Sequence, residues 1–377
     1  MISCNEFFKI LKAKNLTFFT GIPDSTFKDW MKFLNDNDNI LLKNLIACNE
    51  CEAIALAAGY YLSTNQIGIV YMQNSGLGKA INPLTSLCDP DVYSIPVLLM
   101  IGWRGEPGKK DAPQHKKMGK ITLSMLETLD IPYTILNPNL NDIKIELEKA
   151  LQYLKEKQGP YAFIIKKNFF HEYRMKKEIP LDFELSREEA IQLIVDNLEN
   201  DTLIISTTGY TSRELFEYQE TIKKDKLGIF YNIGSMGCSS SIGLSIALNR
   251  EEKVILFDGD AATIMQMGAL TTIGKYSPPN LLHIIFDNQA HESTGGQPTN
   301  ASVVNFVNVA LACNYKSGLI VKTKEELLNS LKNLENKEGP NLIILKIKMG
   351  SRSNLQRPNK NPVEYKGEFM KFLRERK

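Results

Sequence analysis

The chain has 377 residues, of which 43% are hydrophobic and 23% are charged, values typical of globular proteins. This length predicts two domains of ordinary size. Lysine and arginine number 45 against 43 aspartates and glutamates, and no basic stretch is interleaved with aromatic residues, so we expect no nucleic-acid partner.

The sequence shows no targeting or membrane pattern. Residues 1–30 lack the charged head, apolar middle and small-residue cleavage site of a signal peptide, so we expect none. The longest apolar run, 95–101, contains a proline and is too short to cross a bilayer, so no membrane partner is expected. We interpret that run as a buried strand.

The cysteines predict a reducing compartment. They are Cys4, Cys48, Cys51, Cys88, Cys238 and Cys313, and five of them have apolar or small neighbours, as reduced and buried cysteines do. Cys48 and Cys51 form a C-x-x-C pair, a spacing also used by thioredoxin-like and zinc sites, but no second pair lies within ligand spacing. We therefore expect a cytoplasmic protein, and the role of this pair stays open.

Helical and strand patterns alternate over the first 170 residues. Helices are predicted at 6–14 and from residue 49, and strands at 16–20, 41–47, 67–72 and 97–101. Two further helix–strand units cover 122–136 and 143–166. This alternation predicts a parallel sheet covered by helices.

A second domain of the same type follows a short linker. We place the first domain at 1–170, a polar and basic linker at 171–185, and the second domain at 186–377. The helices and strands of the second domain are predicted at 186–198, 202–206, 230–233, 254–257, 281–286, 306–312, 318–321 and 341–348, before an irregular tail at 350–362. The two domains share a pattern, but no residue-level repeat is visible.

Two strands of the second domain release polar residues where they end. Asp258-Gly259-Asp260-Ala261 follows one strand, and Asp287-Asn288-Gln289-Ala290-His291 follows the next. In a parallel sheet these ends lie on one rim, where doubly wound folds bind ligands. A carboxylate, an amide oxygen and a loop carbonyl suit a magnesium ion that bridges a diphosphate. Gly259 permits close backbone approach and the next helix offers its N-terminus, although ordinary turn chemistry explains the same residues.

This arrangement resembles the diphosphate-binding motif of thiamine diphosphate enzymes, an Asp-Gly pair followed by Asn about thirty residues later. By this resemblance, Mg²⁺ is held by Asp258, the Asn288 side chain and the Ala290 backbone oxygen. Gly259, Asp260, Ala261 and His291 would contact thiamine diphosphate. One position departs from the family, because Phe257 stands where glycine usually precedes the aspartate.

The same family places a glutamate at a strand-to-helix junction, with Gly-Tyr nine and ten positions later. Glu50, Gly59 and Tyr60 match that spacing. The resemblance therefore implies that Glu50 contacts the cofactor and activates its aminopyrimidine ring by holding and moving a proton. Without the resemblance, Glu50 is an acidic residue in the first turn of a helix, where such residues are common.

Two further segments resemble cofactor contacts of this family. Gly234-Ser235-Met236-Gly237 is similar to the segment that passes under the cofactor, so that Met236 would lie between its two rings and Ser235 beside it. The alternative is a methionine that fills a gap in the core. Thr208-Gly209 resembles a loop near the diphosphate, which makes Gly209 a cofactor candidate.

Within the family, the chain resembles the two-domain phosphonopyruvate and sulfopyruvate decarboxylases. Most fused relatives carry a third domain between the other two, whereas here only a short linker is found. The stretches that support this branch are Gly21-Ile22-Pro23-Asp24-Ser25, Trp103-Arg104-Gly105, Asp111-Ala112-Pro113-Gln114-His115, Ser293-Thr294-Gly295-Gly296-Gln297 and Gly350-Ser351-Arg352 with Arg357-Pro358. The implied fold is α/β, with two doubly wound parallel-sheet domains that bind pyrimidine first and diphosphate second.

The resemblance implies decarboxylation of phosphonopyruvate to phosphonoacetaldehyde and CO2, a step that would feed 2-aminoethylphosphonate synthesis. Arginine suits bidentate phosphonate binding, and the candidates for substrate contact are Ser25, Arg104, Gln297, Arg352 and Arg357. Asp24 and His115 are candidates for proton transfer, with Glu50 as the third catalytic residue. Each of these arginines alternatively serves as a solvated surface charge.

In this superfamily the cofactor lies between domains of different subunits. The resemblance therefore implies at least a homodimer, in which Glu50 and Asp258 act together from two chains.

Three rival functions remain. Sulfopyruvate decarboxylase asks for nearly the same arginine-lined pocket, although it often occurs as separate subunits. A nicotinamide-dependent dehydrogenase needs G-x-G-x-x-G after a strand, and residues 74–78 contain only Gly-Leu-Gly. A non-catalytic subunit of the same fold is disfavoured, since Glu50 and the metal set are both present.

Overall fold

The computed structural model describes residues 1–176, 182–222 and 226–376. The chain divides into two compact units. Unit 1 comprises Met1–Glu178 together with Ser293–Gln297, and unit 2 comprises Ile179–Glu292 together with Pro298–Lys377.

Unit 1 is built on a six-stranded parallel sheet. Its strands are β1 (Phe18–Gly21), β2 (Lys43–Ile46), β3 (Ile69–Gln73), β4 (Val97–Gly102), β5 (Tyr133–Ile135) and β6 (Pro160–Ile165), in the spatial order β2-β1-β3-β4-β6-β5. β4 is buried along its whole length, as expected of a central parallel strand covered on both faces.

Helices cover this sheet. They are α1 (Cys4–Lys12), α2 (Lys28–Asn37), α3 (Glu50–Thr64), α4 (Leu77–Ser86), α5 (Pro113–Thr128) and α6 (Leu140–Lys157), with short 3-10 helices at Ser25–Phe27 and Asn74–Gly76. The core includes an aromatic cluster in which Trp30 stacks on Phe33 and meets Phe7 edge-on, with ring centroids 5.2 and 5.1 Å apart. Asn49 caps α3 by accepting a hydrogen bond from the Glu52 amide, which fixes where that helix begins.

Unit 2 has a second six-stranded parallel sheet. Its strands are β7 (Leu203–Ser206), β8 (Gly228–Tyr231), β9 (Val254–Gly259), β10 (Leu281–Asp287), β13 (Ser317–Val321) and β14 (Asn341–Lys346), in the order β13-β14-β10-β9-β7-β8. The chain also contains two-residue strands β11 (Ala290–His291) and β12 (Gln297–Pro298) and 3-10 helices at Glu292–Thr294 and Asn300–Val303. Within this segment, Ser293–Gln297 belong to unit 1.

Eight helices accompany the second sheet within the described part of the chain. They are α7 (Arg187–Asp196), α8 (Tyr210–Ile222), α9 (Ser239–Asn249), α10 (Asp260–Met265), α11 (Gly268–Tyr276), α12 (Phe306–Ala312), α13 (Lys324–Leu334) and α14 (Pro362–Arg374). Capping boxes begin α7 at Ser186 and α13 at Thr323. No helix in the described ranges combines the length and the hydropathy that a membrane crossing needs.

The two sheets share one topology. If the six strands of each unit are numbered along the chain, both follow the order 2-1-3-4-6-5. Strand order therefore reverses between β1 and β3 in unit 1 and between β7 and β9 in unit 2. Ligands of doubly wound sheets bind at the carboxyl ends of strands at such a reversal. Each unit therefore has a defined position for a site.

These sheets confirm the predicted fold class, and the predicted strands agree with the observed ones to within a few residues. Three helices of unit 2 were missed. α8 and α13 were not assigned, and α14 follows the irregular tail although Asn361 and Pro362 are ordinary start signals for a helix.

The predicted linker, 171–185, lies partly outside the described residues, because 177–181 are not described. Its beginning packs on unit 1, where the amides of Tyr173 and Lys176 donate to Asp29 and Asp36 of α2.

The cysteine prediction was only partly right. None of the six cysteines, all of which lie in the described ranges, forms a disulfide, but only Cys4 and Cys88 are buried, and Cys51 is exposed. Small neighbours along the chain do not ensure burial, because Cys51 lies in the first turn of α3 on its open side.

Candidate active site

Asp24 lies at the reversal point of unit 1. It follows β1, and its carboxylate accepts a hydrogen bond from the Gln73 side chain at the end of β3, 2.6 Å away. Asp24 is fully buried, and a Cβ added to Gly102 at the end of β4 would stand only 1.9 Å from Oδ2. Burial raises the pKa of Asp24, while the hydrogen bond from Gln73 opposes that shift. The site thus holds an acid whose proton is easily retained.

Glu50, the first residue of α3, is also a buried acid. A Cβ at Gly76 would lie 2.2 Å from its Oε1, so the carboxylate rests directly against the backbone of the 3-10 turn after β3. Its Oε2 has no hydrogen-bond partner among the residues that the structure describes. Burial raises the pKa of Glu50, and the charge of Lys79 opposes this weakly. An unpaired buried carboxyl oxygen is costly unless a ligand meets it.

Arg104 is held in a fixed orientation beyond β4. Asp111 accepts from Nε and Nη2 at 2.8 and 2.6 Å, and Nη1 donates to the Ser25 hydroxyl at 2.8 Å. Asn74 also accepts from the Arg104 amide and donates to its carbonyl oxygen. Arg104 holds the pKa of Asp111 well below its usual range. The structure thus brings two predicted substrate residues, Ser25 and Arg104, into contact.

Sequence analysis missed Gln73, Asn74 and Asp111 as supporting residues of this cluster. The available signal was that Gln73 and Asn74 stand at a strand end. Which other strand end they face depends on strand order, which the sequence does not show.

Two other candidates of unit 1 have different surroundings. His115 belongs to the first turn of α5, where Pro113 occupies the first helical position. Gln297 is buried, and its Nε2 has no hydrogen-bond partner within the described ranges, whereas Oε1 accepts from Thr294 at 3.3 Å.

Asp258 lies at the reversal point of unit 2, near the end of β9. Its side chain is fully buried, and Oδ1 accepts from the Gly259 amide at 2.9 Å. Oδ2 makes no hydrogen bond to any described residue and is 3.6 Å from Nε2 of His283. His283 Nδ1 is 3.2 Å from the Tyr315 hydroxyl. The place of His283 beside Asp258 follows from the register of β10 with β9, which the sequence does not show.

Asn288 follows β10, which pairs with β9. In this pairing, Ile285 of β10 lies opposite Asp258 of β9. Oδ1 of Asn288 accepts from the Ala290 amide at 3.1 Å, and its Nδ2 donates to Glu292 at 2.9 Å. No group of three His, Cys, Asp or Glu residues suited to a metal occurs in the described part of the chain. The ligand set predicted from the sequence has one carboxylate and two neutral oxygens, so it would not form such a group, and it stays a prediction.

The residues after Asp258 have distinct environments. A Cβ at Gly259 would meet nothing within 4 Å, so space is open beside the backbone there. The Asp260 carboxylate accepts a hydrogen bond from the Thr299 hydroxyl, and burial raises the pKa of Asp260 to about 7. Desolvation lowers the pKa of His291 to about 4, so its ring is neutral at neutral pH.

Ala261 lies in the first turn of α10, which is only six residues long. The helix whose N-terminus was expected to face the diphosphate is therefore short. So short a helix contributes individual amides rather than a sizeable dipole.

Met236 lies in a tight turn of unit 2. Ser235 and Gly237 on either side both have positive φ, 49° and 86°. A Cβ at Gly237 would come within 2.6 Å of Gln266, so glycine is needed there. Met236 is only half-buried, so it does not fill a gap in the core. Left-handed backbone at a serine is uncommon and occurs often at ligand sites.

The loop after β7 also reaches the reversal point. Gly209 has φ of 95°, and Thr207, next to β9, has a buried hydroxyl without a hydrogen-bond partner among described residues. Sequence analysis named Gly209 but missed Thr207, whose signal was its position directly after a strand.

The two C-terminal arginines lie in unit 2. Arg352 forms ion pairs with Glu188 of α7 and Glu217 of α8, so its donors already have carboxylate partners. This arrangement counts against Arg352 as a free phosphonate ligand. Arg357 is exposed.

Comparison with known proteins agrees with this arrangement. Residues 5–123 match the family described as "Thiamine pyrophosphate enzyme, N-terminal TPP binding domain". Residues 208–345 match "Thiamine pyrophosphate enzyme, C-terminal TPP binding domain". Thiamine pyrophosphate is another name for thiamine diphosphate.

Three relatives align with both units. The phosphonopyruvate decarboxylase of Streptomyces hygroscopicus is 32% identical over 391 residues, covering 100% of this chain and 95% of the relative. The phosphonopyruvate decarboxylase of Streptomyces viridochromogenes is 33% identical over 344 residues, covering 87% of this chain and 85% of the relative. The sulfopyruvate decarboxylase of Methanosarcina acetivorans is 27% identical over 350 residues, covering 87% and 86%.

Proposed function

The chain belongs to the thiamine diphosphate-dependent decarboxylases, and we propose that it converts 3-phosphonopyruvate to phosphonoacetaldehyde and CO2 with thiamine diphosphate and Mg²⁺. The observation that carries this proposal is Glu50, a buried carboxyl group with one unpaired oxygen, placed against Gly76 at the ligand-binding rim of unit 1. Such a group suits the activation of a ring nitrogen by proton transfer.

The residues of unit 2 fit the diphosphate and its metal. Asp258 offers a buried oxygen that has no hydrogen bond among the described residues, and open space lies beside Gly259. Asp258, the Asn288 side-chain oxygen and the Ala290 carbonyl oxygen supply hard oxygen ligands, which Mg²⁺ prefers. The buried hydroxyl of Thr207 adds a hydrogen-bonding group at the same strand ends.

When bound, thiamine diphosphate supplies an electron sink for the electron pair released with CO2. The chain's own residues then have separate tasks. Glu50 holds and moves the proton that activates the cofactor. Asp24, whose pKa is raised by burial, retains a proton at neutral pH more readily than an exposed acid and can donate it to the reacting carbon. Met236 packs against the cofactor from a turn with left-handed backbone on both sides.

Substrate binding is assigned to the cluster around Arg104. Asp111 and Ser25 fix the guanidinium in place, so little side-chain entropy is lost when it meets an anion. A planar guanidinium suits the phosphonate group of the substrate. Gln297, with its unpaired amide nitrogen, and the exposed Arg357 are further candidates, and His115 is a second candidate for proton transfer.

Sulfopyruvate is the alternative substrate. Its sulfonate group would bind to a similar arginine. A sulfopyruvate decarboxylase aligns with both units of this chain, so the presence of both units in one chain does not distinguish the two substrates. Phosphonopyruvate is favoured because, among relatives that align with both units, its decarboxylases are 32% and 33% identical to this chain and the sulfopyruvate decarboxylase is 27% identical. The aldehyde product would then enter 2-aminoethylphosphonate synthesis, which isotope tracing from labelled phosphonopyruvate in cells would test.

We further propose that the active enzyme is at least a homodimer. α3, which begins with Glu50, exposes Ala55 and Leu62, and beside it lies an open apolar groove of about 450 Å³ lined in part by Phe18 and Leu56. Exposed apolar surface of this kind is typical of a protein interface. Sedimentation equilibrium should give at least twice the chain mass of 42.6 kDa, and a monomer that is fully active would contradict the proposal.

The deciding experiment measures CO2 release from phosphonopyruvate and sulfopyruvate in parallel, with thiamine diphosphate and Mg²⁺ added or with the metal chelated. We expect cofactor-dependent turnover of phosphonopyruvate, and a loss of about 10²–10⁴-fold in Glu50→Gln. Glu6→Gln, at an exposed residue in the first turn of α1, is the matched control and should keep its activity.

The outcomes separate the parts of the proposal. Preference for sulfopyruvate would support the proposed decarboxylation reaction but would identify sulfopyruvate, and not phosphonopyruvate, as the substrate. Absence of decarboxylation with either substrate, although thiamine diphosphate binds, would reject the function and leave the fold assignment intact.

A further inference from the structure

Unit 2 contains a buried network of charged side chains. Arg187, the first residue of α7, donates from Nε and Nη2 to Glu214 of α8 at 2.8 and 3.1 Å. Its Nη1 donates to Oε2 of Glu292 at 2.9 Å. Arg187 and Glu214 are only 6% and 2% exposed. The network thus connects two helices with the segment that follows β11.

The network ends on a predicted metal ligand. The same Oε2 of Glu292 accepts from Nδ2 of Asn288 at 2.9 Å. A carboxylate only accepts hydrogen bonds, so the amide nitrogen of Asn288 must face Glu292. Its Oδ1 must then point the other way, where it accepts from the Ala290 amide at 3.1 Å. The hydrogen bond therefore decides which end of the Asn288 amide is presented to a ligand.

The charges of the network do not balance. Two carboxylates share one guanidinium, and Oε1 of Glu292 is buried without a hydrogen-bond partner among the described residues. Removing ionised groups from water costs several kcal/mol each, and apolar residues often pack such a space with equal or greater stability. Helix packing alone therefore gives no reason for the second carboxylate. A cation bound nearby would give a reason for the second carboxylate, because the remaining negative charge would stabilise the bound cation.

We propose that Glu292, held by Arg187 and Glu214, is a positioning residue for the divalent cation. It orients the Asn288 oxygen and supplies negative charge behind that ligand. The inference rests on the proposed function, since it concerns the same metal set. Partners that orient metal ligands typically contribute 10–100-fold to metal affinity.

The test measures cation binding directly. Mn²⁺ binding to the full chain is followed by electron paramagnetic resonance in the presence of thiamine diphosphate, for wild type, Glu292→Ala and Glu292→Gln. We expect the Mn²⁺ dissociation constant to rise roughly 10–100-fold in Glu292→Ala. Glu292→Gln keeps an acceptor oxygen but loses the charge, so its rise should be smaller.

Glu368→Gln is the matched control, because Glu368 belongs to an exposed ion pair with Lys360 elsewhere in unit 2. Its Mn²⁺ affinity should equal that of the wild type. Urea unfolding of each variant without metal separates loss of stability from loss of affinity. If Glu292→Ala does not fold, Glu292→Gln decides the question alone.

Two results would overturn the inference in distinguishable ways. Wild-type Mn²⁺ affinity in a Glu292 variant, with or without lower stability, would leave the network a structural link between α7 and α8. Failure of the wild-type chain itself to bind Mn²⁺ with thiamine diphosphate would reject the proposed function, and this inference with it.

Discussion

Glu50 is an acid in surroundings that disfavour its charge. Its pKa is raised by burial, and the Oε2 atom has no hydrogen-bond partner in the described ranges. An ionised group in such a position destabilises the folded chain until a ligand meets it. Active sites commonly trade stability for function in this way.

The pH dependence follows from that shift. Between the unfolded pKa of about 4.3 and the raised folded pKa, the folded chain binds more protons than the unfolded chain. Stability therefore falls as pH rises through this window. Glu50→Gln removes this contribution, so we expect the cofactor-free variant to be more stable than wild type above the window and equal to it below about pH 4. Thermal unfolding from pH 4 to 8 measures this, and each kcal/mol recovered raises Tm by roughly 2–4 °C.

Glu6→Gln is the control for this effect, because Glu6 also lies in the first turn of a helix but is exposed. Its unfolding profile should follow that of the wild type. Parallel profiles for wild type and Glu50→Gln would show that burial of Glu50 has no energetic consequence.

At the scale of elements, the turn from β3 into α4 is shaped around Glu50. Gly76 has φ of −76°, which any residue adopts, so glycine is not required there by the backbone. Glycine is required at position 76 for a steric reason, because a Cβ there would stand 2.2 Å from Glu50 Oε1. The turn and the first residue of α3 are therefore in direct contact.

Gly76→Ala should displace the Glu50 carboxylate. We expect at least about a tenfold loss of kcat with a loss of about 1–3 kcal/mol in unfolding free energy from overpacking. Steady-state kinetics and urea unfolding measure the two effects. Gly78→Ala is the matched control, because a Cβ there meets nothing within 4 Å. Alanine in that helix should instead add about 0.5–1 kcal/mol. Equal activity in both variants would contradict the steric role of Gly76.

At the scale of the whole molecule, charge is distributed unevenly. The chain carries a net charge of +2, yet residues 104–120 alone contain six lysines and arginines against two acidic residues. Both acids are paired, Glu106 with Lys166 and Asp111 with Arg104. Five lysines of this segment are exposed: Lys109, Lys110, Lys116, Lys117 and Lys120. The segment therefore attracts anions towards the end of β4.

Such a field accelerates the encounter with a substrate that carries two or three negative charges. We expect kcat/KM to fall as NaCl rises from about 0.05 to 0.3 M, because the Debye length shortens. Lys116→Glu with Lys117→Glu should lower kcat/KM several-fold at low salt and weaken its salt dependence, without changing kcat. The control exchanges Lys144 and Lys155, exposed on α6, for glutamate. An identical effect of both pairs would assign the result to net charge alone.

The backbone pattern of both units can be predicted from local sequence signals. Buried apolar runs alternating with amphipathic segments predict parallel strands with helical crossovers, and such sheets gather their strand ends on one rim. This was enough to place Asp258 and Asn288 on neighbouring strand ends and Glu50 at the start of a helix, as the structure has them. The missed α14 shows the limit of local signals, because its start residues follow an irregular tail.

Which of these side chains contact each other depends on the folded arrangement of the strands. Strand order places Gln73 beside Asp24, and strand register places His283 beside Asp258. Folding also directs Arg352 to two carboxylates and links Arg187 through Glu292 to Asn288. The physical reason is one of range. Periodicity and capping act over a few residues, whereas a buried charge selects its partners from segments that only strand order and register bring within hydrogen-bonding distance.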